Sequence, residues 1–191
     1  MTSVLLMRFF HIVALFLLAR VAHPATLEKL SLDQMTQKAT AIIRGRVQSC
    51  AGEFRGSIIY THCKVAVSET WKGLVPSQTD VATFGGTARG AVQNFSGAPT
   101  LKTGEEYVLF LWTGKSGLTQ VIGLSQGIFE IKAEGSAASS KASKEEAVAE
   151  RPASSEVMLD ASGAPVQDSS VRMKVSDLKA RVQRAQLGQA Q

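Results

Sequence analysis

The strongest constraint on the fold is the stretch from Ala41 to Gly73, which predicts one long β-hairpin and contains both cysteines of the chain. Runs rich in Ile, Val, Tyr and Thr flank the dipeptide Gly56-Ser57. Glycine at the first position of a two-residue loop is typical of a type II′ turn, whose twist matches that of the flanking strands. This turn sets the cross-strand register, and the register places Cys50 directly opposite Cys63.

The predicted pairing of the two cysteines suits a disulfide. Counting outward from Arg55 opposite Ile58, Cys50 and Cys63 occupy a non-hydrogen-bonded pair, where Cα atoms approach to about 4.5 Å. That distance lies at the short end of the range for disulfides, and closing a loop of this size stabilises a fold by about 2–3 kcal/mol in the chain-entropy model. We therefore predict a Cys50–Cys63 disulfide in preference to two free thiols or a catalytic cysteine. His62, the nearby candidate base, points to the opposite face of the strand.

Residues 1–25 have the features of a signal peptide. Arg8 precedes the apolar run FFHIVALFLL, and small residues follow around a cleavage site after Ala22 or Ala25. The apolar run is too short for a membrane span, and an uncleaved anchor is the alternative. Export to the periplasm or the medium predicts an oxidising compartment, where disulfides persist.

Removal of Arg8 and Arg20 lowers the formal net charge of +5 by two, so the charge does not indicate a nucleic-acid partner.

The pattern of residues 26–132 predicts a mainly all-β domain. The run YVLFLW at 107–112 predicts a central strand buried on both faces, and both tryptophans, Trp71 and Trp112, are expected in the core. Ser31 and Gln34 form a potential capping box for a short helix over 32–39. Further strands are expected at 80–84, 118–124 and 128–132. Such spacings are typical of a five- or six-stranded OB-like barrel, here with short N- and C-terminal helices.

The C-terminal third of the chain differs in composition. Residues 133–170 are rich in alanine and serine and contain no aromatic residue, which predicts a mobile segment. A weak hairpin with its turn near Ser162-Gly163 is expected within this segment. Residues 171–191 predict a terminal strand and a helix capped by Ser176. The apolar face of that helix is predicted to contain Leu178, Val182 and Ala185.

Few residues of the chain have the pattern of a catalytic or metal site. His62 is the one histidine that remains in the chain after cleavage at either predicted site. One histidine is too few for a histidine-based zinc site and offers little basis for a Ser-His-Asp triad. Glu105-Glu106 is interpreted as a solvated lead-in to the next strand. We predict no metal, no cofactor and no catalytic residue. The glycine-rich loop over 85–103 contains Arg89 and Phe95 as candidate contact residues.

Over about Leu27 to Lys132 the chain resembles a family of uncharacterised exported bacterial proteins that share a GEEYVLFL strand and a QGIF strand. The motifs that carry the resemblance are ATAIIRGRV, IIYTHCKVAVSETWKG, GGTARG, SGAPTLKTGEEYVLFLW and GLSQGIFEI. The order of elements also resembles, more distantly, the netrin-like module of tissue inhibitors of metalloproteinases, an OB-fold barrel. That second resemblance implies architecture alone, because those inhibitors chelate the protease zinc through an N-terminal cysteine and the first cysteine here is Cys50.

Together these patterns favour a secreted or periplasmic, non-catalytic binding module. Its expected partner is an envelope or secreted protein, or a cell-envelope polymer, and loop 85–103 is the expected contact region. One alternative is an envelope structural or accessory protein without a ligand site, in which the Ala/Ser-rich segment acts as a spacer. The other is a hydrolase that uses His62 or a carboxylate pair in a pocket. No stable membrane span is expected after signal cleavage.

Overall fold

The computed structural model describes residues 26–133, 147–154 and 156–188, and the predicted signal peptide lies outside these ranges. The described chain is mostly β-strand. The strands are β1 (Thr26–Glu28), β2 (Ala41–Arg55), β3 (Ile58–Lys72), β4 (Gln78–Phe84), β5 (Gly86–Ala88), β6 (Ala91–Gln93), β7 (Glu106–Thr113), β8 (Thr119–Val121), β9 (Ile128–Ala133), β10 (Ala147–Arg151), β11 (Val157–Leu159), β12 (Pro165–Val166) and β13 (Val171–Lys174). The helices are α1 (Leu32–Lys38) and α2 (Val175–Leu187).

A large sheet forms the centre of this part of the chain. Its eight strands follow the order β13-β10-β9-β7-β2-β3-β4-β8, and β8 also pairs with β7. The pairing of β4 with β8 is parallel, whereas the other pairings in this sheet are antiparallel. A small sheet in the order β1-β11-β12 and the hairpin β5–β6 complete the described architecture.

The β2–β3 hairpin has the predicted register from its turn to the cysteines. Arg55 pairs with Ile58 and Cys50 with Cys63. Gly56 has a φ of 64°, as the first position of a type II′ turn requires. The two cysteines form a disulfide with their Cα atoms 4.1 Å apart, which confirms that prediction.

Residues 107–111 of β7 are buried on both faces, as the apolar run predicts. One face packs in a core between the strands of the large sheet, formed by Ala41, Ile43, Val47, Cys63, Val65, Val81, Leu101, Tyr107, Leu109, Leu111 and Val121. The other face packs in a second core beneath the helices, formed by Met35, Ala39, Ile42, Trp71, Val108, Phe110, Ile122, Phe129, Ala149, Val175, Leu178 and Val182. Strands β2 and β7 therefore separate two cores, each filled by alternate residues of the same strands.

Helix α1 begins with the predicted capping box. The Ser31 hydroxyl accepts a hydrogen bond from the Gln34 N–H (3.1 Å), and the Gln34 side-chain oxygen accepts one from the Ser31 N–H (2.8 Å). Two of the N–H groups that a helix start leaves without intrahelical partners are thereby satisfied.

Helix α2 begins differently from the prediction. Lys174 occupies the N-cap position and its side chain makes no capping hydrogen bond, so the prediction that Ser176 caps the helix is wrong. The reason is that β13 runs directly into the helix and leaves no intervening turn in which Ser176 could act as a cap. The predicted apolar face is confirmed by Leu178 and Val182, which are fully buried.

The large sheet continues beyond Lys132, the predicted end of the β domain. Strand β10 lies between β9 and β13, and its Val148 and Ala149 are buried. Residues 147–151, which the sequence assigns to a mobile segment over 133–170, thus form a strand paired on both edges; this pairing and burial beside α2 offset the weak composition. Residues 134–146 lie outside the described ranges. The expected hairpin is present as β11 and β12, with Gly163 at a φ of 82° in the turn.

A buried ion pair fixes β10 to the segment that leads into β13. Arg151 binds Asp168 through two hydrogen bonds, of 2.6 and 3.0 Å, and the Asp168 carboxylate is 1% exposed. Burial alone would raise the pKa of Asp168. The hydrogen bonds from Arg151 and from the backbone N–H groups of Ser154 and Ser169 overcome that effect and lower the pKa to about 2.

Glu69 on β3 connects the sheet to α2. Its carboxylate accepts hydrogen bonds from Lys179 (2.7 Å), from Arg44 (3.0 Å) and from the Trp71 indole N–H (3.0 Å). The Lys179 ammonium contributes most to lowering the pKa of Glu69 to about 2.

Neither of the described helices has both the length and the apolar character of a membrane span.

Candidate binding groove

The site begins where β4 and β8 diverge. In the described chain these strands share one residue pair, Ala82 with Gln120. Strand β8 ends at Val121 because the chain enters a tight turn in which Gly123 has a φ of 62° and its carbonyl accepts the Gln126 N–H. Strand β4 continues to Phe84. The shorter strand therefore leaves a gap beside the end of β4.

A groove of about 460 Å³ occupies this gap. It is lined by Lys38, Ala82, Thr83, Phe84, Pro99, Trp112, Gln120, Val121, Ile122, Gly123 and Leu124. Most of these side chains are apolar, and Lys38 is the one charged group among them. The volume lies in the range of cavities that bind small ligands or side chains.

Trp112 is the most exposed large apolar side chain of the groove. It is 48% exposed, so the prediction of a core position is wrong, whereas Trp71 is 8% exposed and lies in the core as predicted. Alternation along β7 places Trp112 on the same face as Phe110, but Trp112 lies beyond the packed cluster that buries Phe110 beneath the helices. Gly114 permits the observed ring position, because a Cβ there would lie 2.7 Å from the Trp112 ring.

Aromatic residues continue from the groove along the neighbouring surface. The ring of Phe84 lies 5.0 Å from that of Tyr60 and 5.6 Å from that of Phe95, measured between centroids. A smaller cavity of about 190 Å³ adjoins the groove and shares Thr83, Phe84 and Pro99 with it. Phe95, a candidate contact residue, lines this smaller cavity and is 40% exposed.

The other candidate contact residue, Arg89, occupies a different position. It lies with Gly90 in the turn between β5 and β6, and both residues have positive φ, as a type I′ hairpin turn requires. Arg89 is exposed and lines neither cavity. The structure therefore brings Phe95, but not Arg89, to the edge of the groove.

Lys38 gives the groove a positive charge at the end of α1. Its ammonium lies 2.8 Å from a Glu28 carboxylate oxygen, and both side chains are about half exposed. An ion pair in this environment contributes less than about 1 kcal/mol. Lys38 can therefore exchange Glu28 for the carboxylate of a ligand at little cost.

Gln126, from the QGIF motif, holds the N-terminal segment beside the groove. Its side chain is almost fully buried; the amide oxygen accepts the Leu30 N–H (2.8 Å) and the amide nitrogen donates to the Glu28 carbonyl (2.9 Å). The sequence did not reveal this role, because a glutamine next to glycine in a turn is expected at the surface. Only the long-range contact with β1 explains its burial.

The histidine considered for catalysis lies outside the groove. His62 Nδ1 is 2.6 Å from an Asp80 carboxylate oxygen, whereas the adjacent Cys63 is fully buried in the disulfide. Over the described ranges, no cluster of three or more His, Cys, Asp or Glu side chains is arranged to hold a metal ion.

Comparisons with protein-family models, with curated proteins and with solved structures find no match to this chain.

Proposed function

We propose that this chain is an exported, non-catalytic binding module, secreted or periplasmic, whose ligand occupies the groove between β4 and β8. The proposed ligand belongs to the expected partner class, an envelope or secreted protein or a cell-envelope polymer. Support for export comes from the signal-peptide features of residues 1–25 and from the Cys50–Cys63 disulfide, since disulfides persist in oxidising compartments.

The proposed scaffold is a five-stranded OB-like barrel. In support, the pairings β7–β2, β2–β3, β3–β4, β4–β8 and β8–β7 form a closed cycle of neighbours. Barrels of this kind bind ligands through one face and the loops around it. The groove lies on such a face, at the β4–β8 junction, and Pro99 of the predicted contact loop lines it.

The observation that carries the proposal is the half-exposed Trp112 beside a concave apolar groove. A large aromatic side chain in such a position gains free energy when a ligand covers it, because apolar surface leaves water. Phe84 and Phe95 extend the same surface. In a protein whose ligand is unknown, a well-formed apolar groove of this size with a few polar groups is the first candidate for the binding site.

The test is a pull-down from the envelope and secreted fractions of the source organism, with the oxidised mature chain as bait. Trp112→Ala is the test variant, and Leu187→Ala is the matched control because Leu187 is also exposed, at 70%, but lies at the end of α2. We expect one stoichiometric partner that the wild-type and Leu187→Ala baits capture and the Trp112→Ala bait loses. A partner that the Trp112→Ala bait retains would exclude the groove, and no partner for any bait would favour the structural or accessory protein.

A further inference from the structure

We propose that the groove binds an extended peptide segment with an acidic group, and that the peptide adds a strand to the edge of β4 at Phe84. This inference rests on the proposed function and specifies the chemical class of its ligand. Three features of the groove support it: the direction of the β4 backbone groups, the apolar lining and the position of Lys38.

The register of β4 determines which backbone groups face the groove. In an antiparallel ladder, alternate residues direct both N–H and C=O to the same partner strand. The Gly85 N–H donates to the Ile59 carbonyl on β3 (2.8 Å), so Phe84 directs its own N–H and C=O to the opposite edge. On that edge Ala82 pairs with Gln120 of β8.

Strand β8 does not extend to the level of Phe84. It ends at Val121, and in the described chain no backbone N–H is bonded to the Phe84 carbonyl. This carbonyl therefore offers an acceptor at the wall of the groove. The N–H of an extended peptide satisfies it, which is the kind of contact that recognition by strand addition uses.

The side chains around this edge suit a peptide in extended conformation. Alternate side chains of a strand point to one face, and the groove offers Trp112 and Leu124 as apolar contacts for them. Lys38 is the one cation that lines the groove, and its exposed pairing with Glu28 is weak. An acidic side chain or a C-terminal carboxylate on the peptide complements this charge.

The probe is a library of random nine-residue peptides displayed on phage, panned against the oxidised mature chain and counter-selected against Trp112→Ala. We expect enriched peptides with apolar residues and an acidic group. For a synthetic copy of the best peptide, Lys38→Gln is expected to weaken binding about 5- to 10-fold by fluorescence anisotropy. Lys115→Gln, which alters an exposed lysine outside the groove, is expected to leave the affinity unchanged.

Strand addition has a backbone signature that other binding modes lack. N-methylation of the synthetic peptide at successive amides is expected to weaken binding at least 10-fold at the one amide that donates to the Phe84 carbonyl. The other amides are expected to tolerate it. Uniform tolerance of N-methylation would overturn strand addition.

Failure of this inference is distinguishable from failure of the proposed function. If panning yields no peptide that depends on Trp112 while the pull-down yields a partner that does, the groove is a binding site but its ligand is not an extended peptide. If neither experiment depends on Trp112, both proposals are wrong.

Discussion

The two ends of the large sheet are built in opposite ways. At the β13 end, β10 pairs on both of its edges, α2 covers the surface, and the Arg151–Asp168 ion pair is buried. At the β8 end, the described strands β4 and β8 share one residue pair, a groove remains open, and Trp112 is half exposed. One end is closed by packing and hydrogen bonds, whereas the other leaves backbone and aromatic groups accessible.

An ion pair at each end sharpens this contrast. The side chains of Arg151 and Asp168 are 9% and 1% exposed, whereas those of Lys38 and Glu28 are 51% and 52% exposed. Removal of one member of a buried pair leaves an uncompensated charge, while loss of an exposed pair returns both groups to water. The same kind of contact therefore stabilises the fold at one end and leaves a cation available to a ligand at the other.

The largest effect is expected from Asp168→Asn. This substitution leaves Arg151 buried without its counter-charge, and we expect the free energy of unfolding to fall by about 3 kcal/mol. Urea denaturation measures the change. Asp177→Asn, at an exposed carboxylate in the first turn of α2, is the control and is expected to cost less than about 1 kcal/mol. If the free energy of unfolding fell equally in the two variants, burial of the Arg151–Asp168 ion pair would not be the reason for the loss in Asp168→Asn.

Acid is expected to weaken the closed end. Because the pKa of Asp168 is about 2 in the fold and 3.8 ordinarily, the unfolded chain binds more protons between those values. The carboxylate therefore contributes about 2 kcal/mol that is present above pH 4 and lost as the pH falls through 2. The pKa of Glu69, also about 2, acts in the same direction. Urea midpoints measured from pH 6 to pH 2 test this. The midpoint should fall less steeply with falling pH in Asp168→Asn than in the wild type. An equally steep fall in both proteins contradicts the assignment of the pH dependence to Asp168.

The smallest effect is expected from Glu28→Gln at the open end. Loss of this exposed ion pair should change the free energy of unfolding by no more than about 0.5 kcal/mol, with less effect still at high salt. Urea denaturation at two salt concentrations provides the measurement. A loss as large as that for Asp168→Asn would mean that Lys38 is a structural residue rather than a free cation for a ligand.

Local features of the fold were predictable from the sequence. The turn at Gly56 fixes the hairpin register, a capping box marks the start of α1, and an uninterrupted apolar run identifies β7. Each depends on residues a few positions apart. Strand β10 was missed because its alanines have low β-propensity, and its stability comes from neighbours on β9 and β13 that are distant in sequence.

The candidate site was less predictable. Phe95 was identified from its loop and does adjoin the groove, but the groove itself depends on where β8 ends relative to β4. That relation joins residues about 40 positions apart and has no local signature. Trp112 belongs to an apolar run, so its exposure depends on the extent of the helices above β7 and not on its neighbours in sequence.

The parallel pairing of β1 with β11 constrains the order in which the chain can fold. Thr26 pairs with Val157, about 130 residues later, so the first strand of the described chain waits for one of the last before it has a partner. The β2–β3 hairpin, by contrast, has all of the pairs between its own two strands once residue 72 is available. When the chain folds from N-terminus to C-terminus as it is made, the hairpin is therefore expected to form early, and the N-terminal strand to dock only after almost the whole chain is available.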